Sequence, residues 1–480
     1  MYDFTGILPE LALAAGSLLL LLLAVAPGGR RAGAAAATAA LTLAAALALL
    51  PAAAHAGHGA VLGGMVVLDG FGTFFRAVLI GAALVVVLTG ARYVAARGLA
   101  APEFYALLLM AVAGADFMAV AGDVISFYVG LETLSLASYG LAGFLAGERF
   151  SMEAALKYFL NGAVASALLL FGLSLVFGLA GTTSLAGIAA ALAGGAWGGA
   201  AGTVPAVALV FVLAGLGFKV AAAPFHLWAP DVYEGAPTPV TAFLSLVSKG
   251  AALAAIVRVV AVGLGPLHAD WQLALAVLSA LTMTVGNVSA LWQKNVKRLL
   301  AYSSVAHAGY VLAGIAVGTA LGLQAVLFYI LAYLFMNLGA FGVVMALSGQ
   351  GEGETLEDLA GLARRSPWLA ALLALFALSL LGLPWTAGFM GKLLLFQATV
   401  SSHMTWLALF IAVNTGISAY YYFLLIRQMY LRPAKSAAPV RADAWLAAGL
   451  AVAAAGVLLL GIFPQSFLEW SQLAAFMPLP

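Results

Sequence analysis

The chain has 480 residues, of which 65% are hydrophobic and only 8% are charged, and its mean hydropathy is +1.10. Soluble domains are about half apolar and about a quarter charged, so this composition excludes a water-soluble fold and indicates a chain whose solvent is lipid. The net charge of +2 is too small to favour nucleic acid, and the absence of cysteine excludes disulfides and cysteine-ligated metal or iron–sulfur sites.

The first apolar run follows the segment MYDFTGILPE, which has no basic region and precedes no small-residue cleavage site, so we expect a retained membrane span rather than a signal peptide. A helix needs roughly 20 apolar residues to cross the hydrocarbon. About fourteen such segments follow one another, which predicts an all-α polytopic membrane protein. Their approximate limits are 7–26, 35–54, 73–95, 103–120, 124–146, 154–180, 204–226, 238–262, 272–292, 299–320, 323–348, 368–395, 403–430 and 444–463.

The basic residues between these segments lie almost entirely on one side of the membrane. They are Arg30, Arg31, Arg92, Arg97, Arg149, Lys294, Lys297, Arg298, Arg364, Arg365, Arg427, Arg432, Lys435 and Arg441. The opposite side has only Arg76 and Arg258, near predicted helix ends. The positive-inside rule therefore predicts that both termini are periplasmic in a bacterial inner membrane.

Three lysines lie deep in predicted spans: Lys219 in the seventh, Lys249 in the eighth and Lys392 in the twelfth. Each would cost about 2.5–3.5 kcal/mol at the centre of a helix that faces lipid, so we expect all three to face the bundle interior or water-filled cavities. Desolvation disfavours the ammonium form, and a buried lysine can therefore release its proton more readily than one in water. Proton exchange is the chemistry that these positions indicate.

Glu132 is the acidic counterpart in the fifth span, and Ser135 and Tyr139 share its helix face. A glutamate beside Lys219 would hold that lysine charged, and the lysine would release its proton when the glutamate moves away. The sequence alone does not decide whether Glu132 and Lys219 are in contact. Lys157 follows Glu153 by four residues, so its role can be either that of a structural ion pair on the helix surface or a functional one. Glu103 can equally be a first-turn acid or a functional group.

Other polar groups indicate less. His307 shares a helix face with Ser303 and Ser304 and is a candidate relay group, although a single buried histidine is more often structural. His226 and His403 are weaker candidates. His55 and His58 are expected in a loop, and Asp116 and Asp123 are expected to be solvated at a turn. No His, Asp and Glu cluster has metal-ligand spacing, so no metal site is predicted.

Two spans contain helix breaks next to lysines. Pro224 follows Lys219, and Gly382 and Pro384 precede Lys392. Paired interruptions at matching positions of two halves indicate a transporter site between inverted repeats, because freed backbone groups must line protein or water. We predict an N-terminal segment at 1–100, a first five-helix repeat at 101–265, a second, inverted one at 266–435, and a last span with a tail at 436–480.

The stretch FHLWAPDVYEGAPTPVTAFLSLVSKGA at 225–251 resembles the signature of the N subunit of bacterial NADH–quinone oxidoreductase, respiratory complex I. LPELALAAGSLLLLL, NVKRLLAYSSVAHAGY and GLPWTAGFMGKLLLF resemble the same antiporter-like family, whose fold has fourteen helices with inverted five-helix repeats. The resemblance implies a proton relay of Glu132, Lys219, Lys249, His307 and Lys392. Glu103 and Lys157 match further positions of the family.

The resemblance also implies a function. The chain is expected to translocate protons outward as a subunit of a complex that reduces quinone with NADH. It would bind no cofactor itself, and NADH, flavin, iron–sulfur clusters and quinone would belong to partner subunits. The expected partners are other complex I membrane subunits and the lipid bilayer, with no nucleic acid. The alternatives are an Mrp-type sodium/proton antiporter subunit and a passive scaffold, although a scaffold does not need buried lysines.

Overall fold

The computed structural model of the chain describes residues 4–25, 32–55, 59–195, 203–349, 351, 353–434, 439–440 and 442–475. The helices of the first half are α1 (Leu8–Val25), α2 (Ala32–His55), α3 (Gly70–Ala96), α4 (Ala101–Ala119), α5 (Val124–Ala142), α6 (Arg149–Ala180), α7 (Leu185–Ala193), α8 (Val204–Val220), α9 (Trp228–Gly235), α10 (Thr238–Phe243) and α11 (Lys249–Ile256). Those of the second half are α12 (His268–Ala290), α13 (Val296–Ala316), α14 (Ala320–Ser348), α15 (Leu362–Arg365), α16 (Pro367–Leu381), α17 (Ala387–Ser401), α18 (Thr405–Leu431), α19 (Ala444–Ile462) and α20 (Gln465–Ala474).

The predicted membrane fold is confirmed. Within the described ranges, 12 helical stretches have the length and apolarity to cross a membrane, and Val204–Val220 and Pro367–Leu381 are shorter apolar helices. Those two shorter helices are the predicted broken spans seven and twelve. The alanine-rich second span is α2, a continuous helix with Pro51 inside it. Five sequence predictions, on Arg30, Arg31, His58, Lys435 and Arg441, lie outside the described residues.

The centre of the bundle lies around the eighth, tenth and eleventh spans. In the most apolar stretch of Thr238–Gly263 every residue is buried. In the corresponding stretches of α13 and α14, 94% of the residues are buried, whereas in that of α6 only 28% are. A helix that is apolar on all sides must be surrounded by protein or lipid, and these three are surrounded by protein. The eighth span also contains two π-helical stretches, Leu244–Ser248 before Lys249 and Val257–Gly263 after α11.

Both broken spans stop at the same kind of helix end. In α8 the amide of Ala222 donates to Gly217 O and that of Ala221 to Phe218 O; in α16 the amides of Leu383 and Gly382 donate to Leu378 O and Ser379 O. Ala221 and Gly382 take left-handed φ angles of 58° and 92°. This double hydrogen bond terminates a helix and turns the chain away from its axis.

The breaks thus occur where the sequence predicts them, and each begins with an equivalent turn. The division into repeats and their inverted relation stay predictions.

A small hairpin closes one end of the bundle. Strand β1 (Gly59–Val61) pairs antiparallel with β2 (Val66–Leu68). Val66 also forms a bridge with Ala121, in the turn between α4 and α5. The C-terminal helix α20 packs beside this end, because the ring of Trp470 lies 4.5 Å from that of Phe74 on α3.

The second broken span depends on one close backbone approach. A Cβ atom on Gly388 would lie 1.8 Å from Ser379 O, a distance that the packed backbone cannot accept. We expect Gly388→Ala to destabilise the fold by about 1–3 kcal/mol or more, through overpacking. The amount of folded chain in the membrane measures this, with Gly416→Ala, whose Cβ would meet no atom within 4 Å, as the control. Equal amounts of both variants would contradict the prediction.

Candidate functional site

Lys219 lies next to the end of α8, at the first helix break, and is only 3% exposed. Its Nζ donates to Ser135 Oγ at 2.8 Å and to Tyr158 OH at 3.4 Å. It also lies 5.5 Å from the centre of the Tyr158 ring, which stacks on Trp228 of α9. The lysine is therefore held by hydroxyl groups and an aromatic face that contribute no compensating charge.

Glu132 does not form an ion pair with Lys219, since no oxygen of Glu132 lies within 4.0 Å of Nζ. Its carboxylate instead accepts a hydrogen bond from Ser166 Oγ on α6, and Ser166 also contacts Tyr128 OH. Ser135, one turn along α5, bonds Lys219. Glu132 therefore lies one helical turn from the serine that binds Lys219, but it does not contact the lysine itself.

Lys249 joins the two halves of the chain. It is 3% exposed, and its Nζ donates to both Ser304 O at 2.7 Å and Ser304 Oγ at 2.5 Å on α13. The preceding π-helical turn is a local distortion of the kind often found at functional sites. A cavity of about 10 Å³ between Lys249, His307 and Tyr333 has room for roughly one water molecule.

His307 lies on α13 one turn beyond Ser303 and Ser304 and is 2% exposed. Its Nδ1 is 2.6 Å from Tyr329 OH, and its Nε2 is 3.1 Å from Tyr422 OH. Tyr422 OH also lies 2.6 Å from Ser303 Oγ. Both ring nitrogens therefore have hydroxyl partners that can donate or accept, so the imidazole can exchange its tautomer without losing a hydrogen bond.

Lys392 lies on α17, just after the second break, and is 6% exposed. Its Nζ donates to Leu380 O at 3.0 Å and Leu381 O at 2.9 Å, the last carbonyl groups of α16. It also lies 4.8 Å from the centre of the Tyr310 ring. A helix end offers partial negative charge and unpaired carbonyl groups, so the break itself supplies the binding place for this amine.

Lys157 and Glu103 lie away from the three buried lysines. Lys157 is half-exposed, with Nζ 2.8 Å from Glu153 Oε1 and 2.6 Å from Asp231 Oδ2, and Arg298 also binds Asp231. The sequence-based i,i+4 ion pair therefore forms. Glu103 lies in the first turn of α4, and its buried Oε2 has no hydrogen-bond partner. The structure brings neither side chain to the buried lysines, and a role for either stays a prediction.

Sequence reasoning missed the polar side chains that surround these groups. Asn287 donates to Tyr310 OH at 3.2 Å and accepts from Tyr421 OH at 2.8 Å, both fully inside the bundle. Asn337 of α14 donates to Ser245 Oγ at 2.6 Å, one turn before Lys249. The asparagines and tyrosines in the middle of predicted spans could have indicated these contacts, because buried amide and hydroxyl groups require hydrogen-bond partners.

Two expectations are wrong. His55, expected in a loop, is the last residue of α2. Asp116 is fully buried rather than solvated, because α4 continues to Ala119 and the side chain is enclosed by the bundle. Asp123 is also buried and caps α5 by accepting from the amide of Ser126. Arg76 and Arg258, expected near helix ends, are 2% and 4% exposed. Within the described ranges, no group of three or more His, Asp and Glu side chains could hold a metal ion.

In the part of the chain that the structure describes, 12 membrane-spanning helical stretches are joined by two shorter apolar helices that end beside buried lysines, as in the class of antiporter-like membrane proteins. Residues 121–418 match the family model described as "NADH:quinone oxidoreductase/Mrp antiporter, TM". The chain is 46% identical, over 86% of its own length and 83% of the relative's, to NADH-quinone oxidoreductase subunit N 2 of Symbiobacterium thermophilum. The chain belongs to the NADH–quinone oxidoreductase subunit N family, as its sequence motifs predict.

Two solved structures are similar over nearly the whole chain. A chain of respiratory complex I from Thermus thermophilus with bound aureothin is 36% identical, with a TM-score of 0.80 over 96% of this chain and 99% of that one. A chain of the Mrp complex from Dietzia sp. is 25% identical, with a TM-score of 0.82 over 98% and 96%. The fold is shared by both, whereas the higher identities favour the complex I relatives over the Mrp alternative.

Proposed function

We propose that this chain is a proton-translocating membrane subunit of a respiratory NADH–quinone oxidoreductase. It carries protons outward through a relay of Glu132, Lys219, Lys249, His307 and Lys392 while other subunits of the complex transfer electrons from NADH to quinone. Flavin, iron–sulfur clusters and quinone are bound by those partner subunits. The chain lies in a bacterial inner membrane with both termini on the periplasmic side.

The observation that supports this proposal is the set of partners of the three buried lysines. Within the described residues, no carboxylate lies within 4.0 Å of Lys219, Lys249 or Lys392; each amine binds hydroxyl or carbonyl oxygens. A scaffold would neutralise or exclude such groups, since a buried charge without a counterion costs several kcal/mol. Neutral partners also serve the uncharged amine, so each lysine can be present with or without its proton.

The energy of one hydrogen bond is comparable to the energy needed to move one proton against the membrane potential. Moving one charge across the membrane potential requires about 2.3 kcal/mol per 100 mV. A charge-assisted hydrogen bond contributes about 1.5–3 kcal/mol. The formation and loss of one contact between Glu132 and Lys219 can therefore gate a proton step of that size, and the separated positions of these two side chains represent one end of such a cycle.

The test is proton pumping by the whole complex that contains this chain, reconstituted in liposomes with an internal pH dye. We expect Lys219→Ala and Glu132→Ala each to lower proton-coupled quinone reduction without disassembly of the complex, because each removes one member of the gating pair. Lys294→Ala, an exposed loop lysine, is the control. Pumping at the unaltered rate in both relay variants would refute the assignment.

Two further measurements separate the alternatives. An Mrp-type antiporter would show sodium-dependent proton flux from the purified chain alone. A passive scaffold would keep full pumping when Lys219 and Lys392 are both replaced by methionine.

A further inference from the structure

A second group of buried charges lies near the end of the bundle that the hairpin closes, away from the lysine relay. Glu10 of α1 and Arg76 of α3 form an ion pair of 2.6 Å and are 1% and 2% exposed. Asp116 of α4 is fully buried, and α4 packs against both α1 and α3. We call Glu10, Arg76 and Asp116 the Asp116 cluster.

The charges of the Asp116 cluster do not balance. Arg76 forms the ion pair with Glu10 and donates to the carbonyl oxygen of Gly6 at 3.0 Å. Neither carboxyl oxygen of Asp116 has a hydrogen-bond partner, and those of Glu10 have none besides this ion pair. An ionised carboxylate in such a place costs several kcal/mol, and protonation removes that cost. The Asp116 cluster thus has two buried carboxyl groups for one guanidinium group, which favours a proton on the carboxyl group that the guanidinium does not bind.

Further polar groups lie between the Asp116 cluster and the end of the bundle. Arg258 donates through Nε to Ala119 O, one turn beyond Asp116, and binds both carboxyl oxygens of Asp69 at 2.6 and 2.7 Å. Asp69 and Thr73 line a cavity of about 170 Å³ beneath Trp470, which has room for several water molecules. Thr73 and Arg76 are one turn apart on the same face of α3.

The helix that carries Asp116 also packs against the span that carries Lys249 of the relay. Arg258 lies on the same span as Lys249, nine residues further along, which corresponds to about 13 Å of helix. The eighth span therefore carries a relay lysine in its middle and a contact to the Asp116 cluster near its end.

We propose that Glu10, Arg76 and Asp116 form a second proton-holding site between the relay and the cavity at Asp69. The two carboxyl groups compete for Arg76. A proton enters the carboxylate that loses the guanidinium, and it leaves that group toward the cavity when Arg76 returns. This inference rests on the proposed function for the direction of proton flow, but the shared proton itself is independent of it.

The shared proton is tested by infrared difference spectroscopy of the purified complex, in which a protonated carboxylic acid gives a carbonyl band. We expect Asp116→Asn to remove one such band, and Asp270→Asn, at an exposed helix start, to leave it. Glu10→Gln should also remove it, although Asp116 is intact, because Arg76 is then free to bind and ionise Asp116. A band that persists in Glu10→Gln would overturn the competition, and its absence from the unaltered complex would overturn the site.

The proton-pumping assay gives the second result. A positioned proton carrier contributes about 10²–10⁴-fold to its transfer step, so Asp116→Asn should slow pumping through this chain by at least about 100-fold. Unaltered pumping in Asp116→Asn together with blocked pumping in Lys219→Ala would reject this inference and leave the proposed function intact. Unaltered pumping in Lys219→Ala would reject the proposed function, while the infrared band would still decide whether the site holds a proton.

Discussion

Replacement of Lys249 by methionine is expected to abolish proton translocation through this chain. The amine of Lys249 contacts Ser304 across the junction of the two halves, so it is the link between the lysine of the first break and the histidine and lysine beyond it. Methionine has a similar length and no exchangeable proton, and it fits an apolar pocket. Protons pumped per NADH oxidised, measured in liposomes with the whole complex, should therefore fall to the contribution of the other subunits.

Lys249→Arg separates two explanations of that loss. Arginine keeps a positive charge but does not release its proton in proteins. If Lys249 carries the proton, the arginine variant fails as the methionine variant does. If Lys249 only supplies a fixed charge, the arginine variant keeps pumping, and the relay role of this residue is wrong. Lys294→Met, an exposed lysine in a loop, controls for the loss of a charge alone.

The spans, the two breaks and the burial of the three lysines could be predicted because each is a local consequence of composition. An apolar run of about 20 residues has few alternatives to a membrane helix. A lysine inside such a run must find protein or water, as Lys219, Lys249 and Lys392 do. Proline and glycine next to those lysines indicate where a helix stops, and α8 and α16 both end there.

The partners of those lysines could not be predicted, because they depend on which helix faces meet. Lys392 binds the carbonyl groups that the break leaves free, and no side chain in the sequence marks that contact. Glu132 bonds Ser166 of the neighbouring helix, whereas the sequence leaves its contact with Lys219 open. Asp116 looks like a turn residue beside glycines, and only the packing of α4 against α1 and α3 shows that it is enclosed.

The second large effect is expected for Arg76→Met, which should destabilise the chain by about 3–5 kcal/mol, because Glu10 must then either take up a proton or stay buried without its counterion. Glu10→Met should destabilise the chain less, since Arg76 can then bind the unpartnered Asp116. The double variant, Glu10→Met with Arg76→Met, should recover much of the stability that Arg76→Met loses, because neither member of the ion pair remains. Retention of the chain in the complex after heating measures the three variants. Arg97→Met is the control, since its partner Glu148 is 48% exposed and such surface pairs contribute about 0–1 kcal/mol. Equal losses in Arg76→Met and the double variant would show that the guanidinium group stabilises the bundle by packing and not by neutralising Glu10.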